Sequence, residues 1–139
     1  MISVAVWVLT VAVTAGTVLA LWHLRAADEG DRPPFLAGVA HGVAGAVGFV
    51  VLLLALRGPA RGVGAGVGSF GTVAAVLFGG ALLTGAALLL FRRKTVAIKT
   101  VAIKTVAIKT VAIKTVVITI HAGIAITAYV LLLAWNSLG

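Results

Sequence analysis

Four stretches of this chain hold no Asp, Glu, Lys or Arg: residues 1–24, 33–56, 62–91 and 115–139. Each is longer than the roughly 20 residues that carry a helix across a hydrocarbon core. None shows the strict polar–apolar alternation of a membrane β-strand, which would be about half as long. The pattern predicts an all-α protein, a four-helix transmembrane bundle, with helices over about 2–24, 35–56, 72–91 and 116–135 of one integral membrane domain. No positive charge precedes the first apolar run, so it reads as an anchor, not a cleaved leader. Trp7 and Trp22 stand near its two ends, where indole rings favour the interface. Pro33 and Pro34 come just before the second helix, at a place where a missing N–H costs nothing.

The second and fourth runs are related. Shifted by 80 positions, His41 falls on His121, Phe49 on Tyr129, Val50 on Val130, and Leu52 and Leu53 on Leu132 and Leu133. Gly42, Gly45 and Gly48 fall on Ala122, Ala125 and Ala128. The first and third runs correspond at an offset of 69: Gly16 with Gly85, Leu19 with Leu88, Trp22 with Phe91. Helices one and two therefore read as a duplicate of helices three and four. A parallel repeat of this kind implies a pseudo-twofold axis along the membrane normal. His23 has no relative in the second half, where Arg92 takes its place.

Between helices three and four, at about 92–115, lies an array: TVAIK four times from Thr95 to Lys114, then a decayed TVVIT. A five-residue step turns a helix by about 140° net, so its lysines spiral round every face and leave no apolar stripe. Val, Ile and Thr favour strands instead. Yet the stretch from Ala86 to Ala122 has no Gly, Pro, Asn, Asp or Ser, which argues for regular structure. The preferred expectation is that helices three and four extend into the array with a turn inside it. The alternatives are paired strands, a solenoid coil of the pentapeptide type, and disorder.

Composition then narrows the picture. The 139 residues are 62% hydrophobic and 10% charged, with a formal net charge of +8. A soluble domain is nearer half apolar and a quarter charged. With no cysteine, disulfides, thiolate metal sites, iron–sulfur clusters and covalent haem are excluded. The glycine-rich RGPARGVGAGVGSFG connection lacks the lysine and preceding strand of a phosphate loop, and reads as a turn. Nine basic residues lie in the first and third connections and two, Arg57 and Arg61, in the second. The positive-inside rule then puts both termini outside and the array in the cytoplasm, in the inner membrane of a bacterium. Arg92, Arg93, Lys94, Lys99, Lys104, Lys109 and Lys114 form a basic patch beside the bilayer, suited to anionic lipid head groups or a partner. Nucleic acid is disfavoured, because stacking aromatics and a recognisable module are missing.

The chemistry in reach is that of histidine. His41 and His121 are expected at matching depth, about 8 Å inside the membrane edge. Ionisable groups there usually face the bundle interior and a partner. Two imidazoles across an axis suit a haem iron held without covalent attachment. Gly38, Ala40, Gly42 and Gly45, with Ala122, Gly123 and Ala125, would leave room for a flat macrocycle. The same small residues also serve close helix approach, and each histidine could simply bond across a helix interface. A divalent metal on all three histidines is a further alternative, though it lacks a nearby carboxylate.

The runs HGVAGAVGFVVLLLAL and IHAGIAITAYVLLLAW resemble small bacterial four-helix inner-membrane proteins. More distantly they are similar to membrane cytochromes b that hold haem between paired helix histidines. That resemblance covers the helices and not the array. It implies haem b on His41 and His121 as axial ligands, and electron transfer. The rival expectation is a non-enzymatic membrane scaffold whose array drives homo-oligomer formation or partner binding. A catalytic set is not evident, and a non-enzymatic protein is favoured. A transporter has little support, because no helix carries an acid.

Overall fold

The computed structural model describes the backbone of residues 1–29, 33–98 and 104–139, and the side chains of 1–25, 33–90 and 115–139. Four helices follow one another: α1 (Ile2–Glu29), α2 (Phe35–Leu56), α3 (Phe70–Ile98) and α4 (Lys104–Leu138). No strand occurs among the described residues. Each helix contains a stretch long and apolar enough to cross a membrane: Ile2–Arg25, Phe35–Leu56, Phe70–Leu90 and Thr115–Leu138. The chain is an integral, multi-pass membrane protein with an all-α bundle fold.

Local sequence explains the boundaries. Pro34 sits at the N-cap of α2 with φ −56° and ψ 141°, the extended conformation a proline favours before a helix starts. After Arg57 the chain enters a tight turn, where Gly62 and Gly66 adopt φ of +67° and +73°, values that exclude most side chains. Val67 N–H donates to Gly62 C=O at 2.9 Å and closes that turn. The glycine-rich connection is thus a turn between helices, as its sequence suggests.

The helices run past the hydropathy pattern at three places. α1 continues through Arg25 to Glu29, while α3 reaches Ile98 and α4 begins at Lys104. The array is therefore helical on both flanks, in line with the preferred expectation. Strands and a solenoid coil are not found among the described residues; residues 99–103, between the two helical flanks, lie outside them, and with them any test of the expected turn inside the array. Eleven residues of α4 precede its membrane span, a rod of about 16 Å.

α1 packs most closely on α2, and α3 on α4, while α1 also lies against α4 and α2 against α3. The helices form a ring in which α1 faces α3 and α2 faces α4 across an axis. The tightest core is at the end of the bundle that holds residue 2 and residue 135. It joins Ile2, Ala5, Leu9, Leu52, Ala74, Ala75, Phe78, Ala128, Leu132 and Trp135. Related positions recur in this core: Ala5 and Ala74, Leu9 and Phe78, and Leu52 and Leu132. Gly48 admits Leu9, whose Cγ would stand 2.7 Å from any added Cβ, and Gly71 admits the Trp135 ring at the same distance. The outward faces carry Val4, Val11, Val18, Val43, Val76 and Leu83, all exposed, as a lipid-facing surface requires. A polar tie joins α1 to α4: Thr10 donates to Val6 C=O at 2.7 Å, so its oxygen accepts from the Tyr129 hydroxyl at 2.6 Å. At the related place in the other half, the Phe49 ring lies 3.6 Å from where a Cβ on Gly79 would be.

Candidate functional site

The histidines occupy the other half of the membrane span. His41 lies six residues into α2 and His121 six residues into the apolar span of α4. Both therefore sit about 9 Å inside that edge. They belong to helices on opposite sides of the ring, and their side chains meet across its axis. The ring centroids are 6.1 Å apart and the ring planes stand at 87°.

Each imidazole is seated on the helix that pairs with its own. His41 lies over α1 at Gly16, where a Cβ would stand 2.5 Å from its Cε1. No other residue leaves that space. One turn earlier on α1, the Ala12 carbonyl oxygen is 2.9 Å from His41 Nδ1. His121 lies over α3 at Gly85, where a Cβ would stand 3.1 Å from its Cε1. Its Nδ1 is 3.0 Å from Thr84 Oγ1. The pairs Ala12–Gly16 and Ala81–Gly85 are related by the 69-residue offset, so the two seats are copies of each other.

These partners assign the ring protons. A carbonyl oxygen only accepts, so His41 Nδ1 carries a hydrogen and donates to Ala12. The single Thr84 hydroxyl hydrogen is directed at the helix carbonyls of Gly80 and Ala81, both at 3.0 Å. The Thr84 oxygen therefore accepts from His121 Nδ1–H. In a neutral imidazole the other nitrogen, Nε2, then carries the lone pair. Anchoring of one ring nitrogen by a second group is the usual way a ligating histidine is oriented.

The donor set is two imidazoles, in a chain with no cysteine and with its three carboxylates confined to positions 28–31.

Two expectations change. Gly38, Gly42 and Gly45 do not open a slot beside His41. Their faces meet α3 instead, with Leu89 Cδ2 at 3.4 Å from a Cβ on Gly38 and Leu82 Cδ2 at 3.5 Å from one on Gly45. The reason is angular: at 100° per residue these glycines lie roughly 40–100° round the helix from His41. Gly123 has nothing within 4 Å of an added Cβ and faces outwards. The residues that do admit the rings, Gly16 and Gly85, are on the other two helices. The three-histidine metal site also loses its footing: among the described residues no three of His, Cys, Asp and Glu come together. His23 stands seven residues beyond Gly16 on α1, about 10 Å further along the axis.

Of the basic patch, Arg92, Arg93 and Lys94 fall in the extension of α3, and Lys104, Lys109 and Lys114 in that of α4. Lys99 lies outside the described residues. Ala12, Gly16, Ala81, Thr84 and Gly85 were not singled out by sequence as a binding seat. The signal that finds them is the Ala-xxx-Gly spacing repeated at the same offset as the helices. Compared with known proteins, the chain matches no protein family, no curated protein and no solved structure.

Proposed function

We propose that this protein is a small b-type haem protein that carries electrons within the bilayer, with His41 and His121 as the two axial ligands. The observation that carries the reading is the meeting of the two imidazoles across the bundle axis, 6.1 Å apart, each with its Nδ1 anchored. Haem held between two histidines supplies a one-electron couple without covalent attachment. The chain's own residues do the rest. Ala12 C=O and the Thr84 hydroxyl hold the rings in the ligating tautomer, and Gly16 and Gly85 give them a place to lie. The apolar helices exclude water, and the sealed core around Leu9, Leu52, Phe78 and Leu132 closes the far side. The likeness of the two histidine runs to membrane cytochromes b belongs to the same proposal. So does an orientation in a bacterial inner membrane with both termini outside and the array in the cytoplasm, its basic residues on anionic head groups.

The test is an absorption spectrum of the detergent-purified protein, oxidised and then reduced, beside His41→Ala and His121→Ala. A strong Soret band with sharp reduced bands, lost in both variants, is the expected result. A colourless protein from haem-replete cells overturns it. One observation favours the rival reading, a scaffold or assembly module: 11 of the 35 residues of α4 stand before its membrane span. Such a rod suits contact with a second copy or another protein.

A further inference from the structure

The two seats are built from matched residues but differ in their polar partners. His41 donates directly to a main-chain carbonyl, Ala12, at 2.9 Å. The related carbonyl for His121 is that of Ala81, but Thr84 Oγ1 stands 3.0 Å from it and 3.0 Å from His121 Nδ1. In the second half only, a hydroxyl is thus added beside the Ala81 carbonyl, which the His121 ring also faces. The residue related to Thr84 in the first half is Ala15, which has no polar atom on its side chain. This polar group sets the seats apart although Ala12 and Ala81, Gly16 and Gly85, and His41 and His121 are matched pairs.

We infer that Thr84 is a positioning residue that makes the two imidazoles unequal, setting His121 Nε2 apart from His41 Nε2. A ring N–H that donates to a carbonyl already shared within a helix feels a fixed acceptor. A hydroxyl acceptor is different in two ways. It is polarised by its own donation to Gly80 and Ala81, and hydrogen bonds in such a chain strengthen one another. It also rotates, so it accommodates a change in the charge on the ring that a rigid carbonyl cannot follow. The outer partner of a ligating histidine tunes the basicity of its ligating nitrogen. Applied to electron transfer, this inference rests on the haem reading. Applied to the state of the two rings, it does not.

The experiment uses detergent-purified protein labelled with ¹⁵N-histidine and treated with a chemical reductant, with Thr84→Ala, Thr84→Ser and Ala15→Thr. The first readout is the set of ring-nitrogen NMR signals; the second is the reduction potential of any bound haem. The expected result is that Thr84→Ala moves the His121 ring signals toward those of His41 and leaves His41 in place. Thr84→Ser restores the wild-type signals, and Ala15→Thr moves His41 and not His121. With haem bound, the potential shifts in Thr84→Ala and returns in Thr84→Ser. His121 signals unchanged in Thr84→Ala, or His41 and His121 moving together, overturn the role of Thr84. Protein without haem overturns the proposed function, and the ring signals still decide the role of Thr84.

Discussion

A side chain at position 16 has nowhere to go. Its first carbon would lie 2.5 Å from His41 Cε1, well inside contact distance, so Gly16→Ala must push the ring off its seat or spread α1 from α2. Overpacking of this kind costs about 1–3 kcal/mol. Gly85→Ala meets His121 at 3.1 Å, where a shift of a few tenths of an ångström suffices. The expected order is therefore a clear loss of stability for Gly16→Ala and a smaller one for Gly85→Ala, read by unfolding in mixed micelles. Equal costs would mean that the two seats are equally tight, against the distances. Tyr129 offers a second test at this scale. Tyr129→Phe deletes the donor to Thr10, a cross-helix bond inside the membrane, where such bonds average about 0.6 kcal/mol and reach about 1.7. The loss should stay small, because Phe49 fills the related place without a hydroxyl and the Thr10 hydroxyl keeps its bond to Val6. A loss well above that range would show that the pair does more than tie α1 to α4. The histidines themselves were legible in the sequence, since an ionisable group in an apolar run is conspicuous. Their partners were not, because Ala, Gly and Thr are common in any membrane helix and a main-chain carbonyl leaves no trace in a sequence.

Helix ends obey different rules from hydropathy. The ends of α2 match the sequence pattern because Pro33 and Pro34 precede it and Arg57 and Gly58 follow it, so polarity and backbone change together. The ends of α3 and α4 do not match, because the polarity changes at Arg92 while nothing in TVAIK stops a helix. Val, Ile and Thr give each copy a strand preference. That preference loses to continuity: a helix already nucleated in the membrane gains one hydrogen bond for each residue it adds, with no new nucleus to form. Ala and Lys in every copy are good helix formers. Deleting two copies, residues 105–114, should therefore remove about 15 Å of helical rod and leave all four spans in place. Circular dichroism in detergent should show a smaller helical signal with unchanged thermal unfolding of the remainder. Under the haem proposal the absorption spectrum and the oligomer size stay the same. A change in oligomer size on this deletion would move the function to the array and favour the scaffold reading.

Two copies of a helical hairpin, related by an axis along the membrane normal, bring the same end of each copy to the same side of the bilayer. That is why matched histidines stand at one depth, and why both rings can reach the axis from opposite helices. The same symmetry makes orientation a property of the whole chain. If one connection between α1 and α2 faces the cytoplasm, the connection between α3 and α4 faces it too, and the array follows. The nine basic residues of those two connections against the two of the other favour that side. The chain has no cysteine, so single cysteines report the topology without a background. Ser3→Cys and Ser137→Cys mark the two ends, and Thr110→Cys marks the array. In intact cells a membrane-impermeant maleimide should label the cysteines at 3 and 137, and should reach the one at 110 only after the membrane is opened. The opposite pattern would reverse the orientation and put the histidines near the outer face, leaving the bundle and its axis as they are. Labelling of 3 and 110 together from outside would be graver. It would place residues on opposite sides of the hairpins at the same face, which a parallel repeat of two-helix hairpins does not allow.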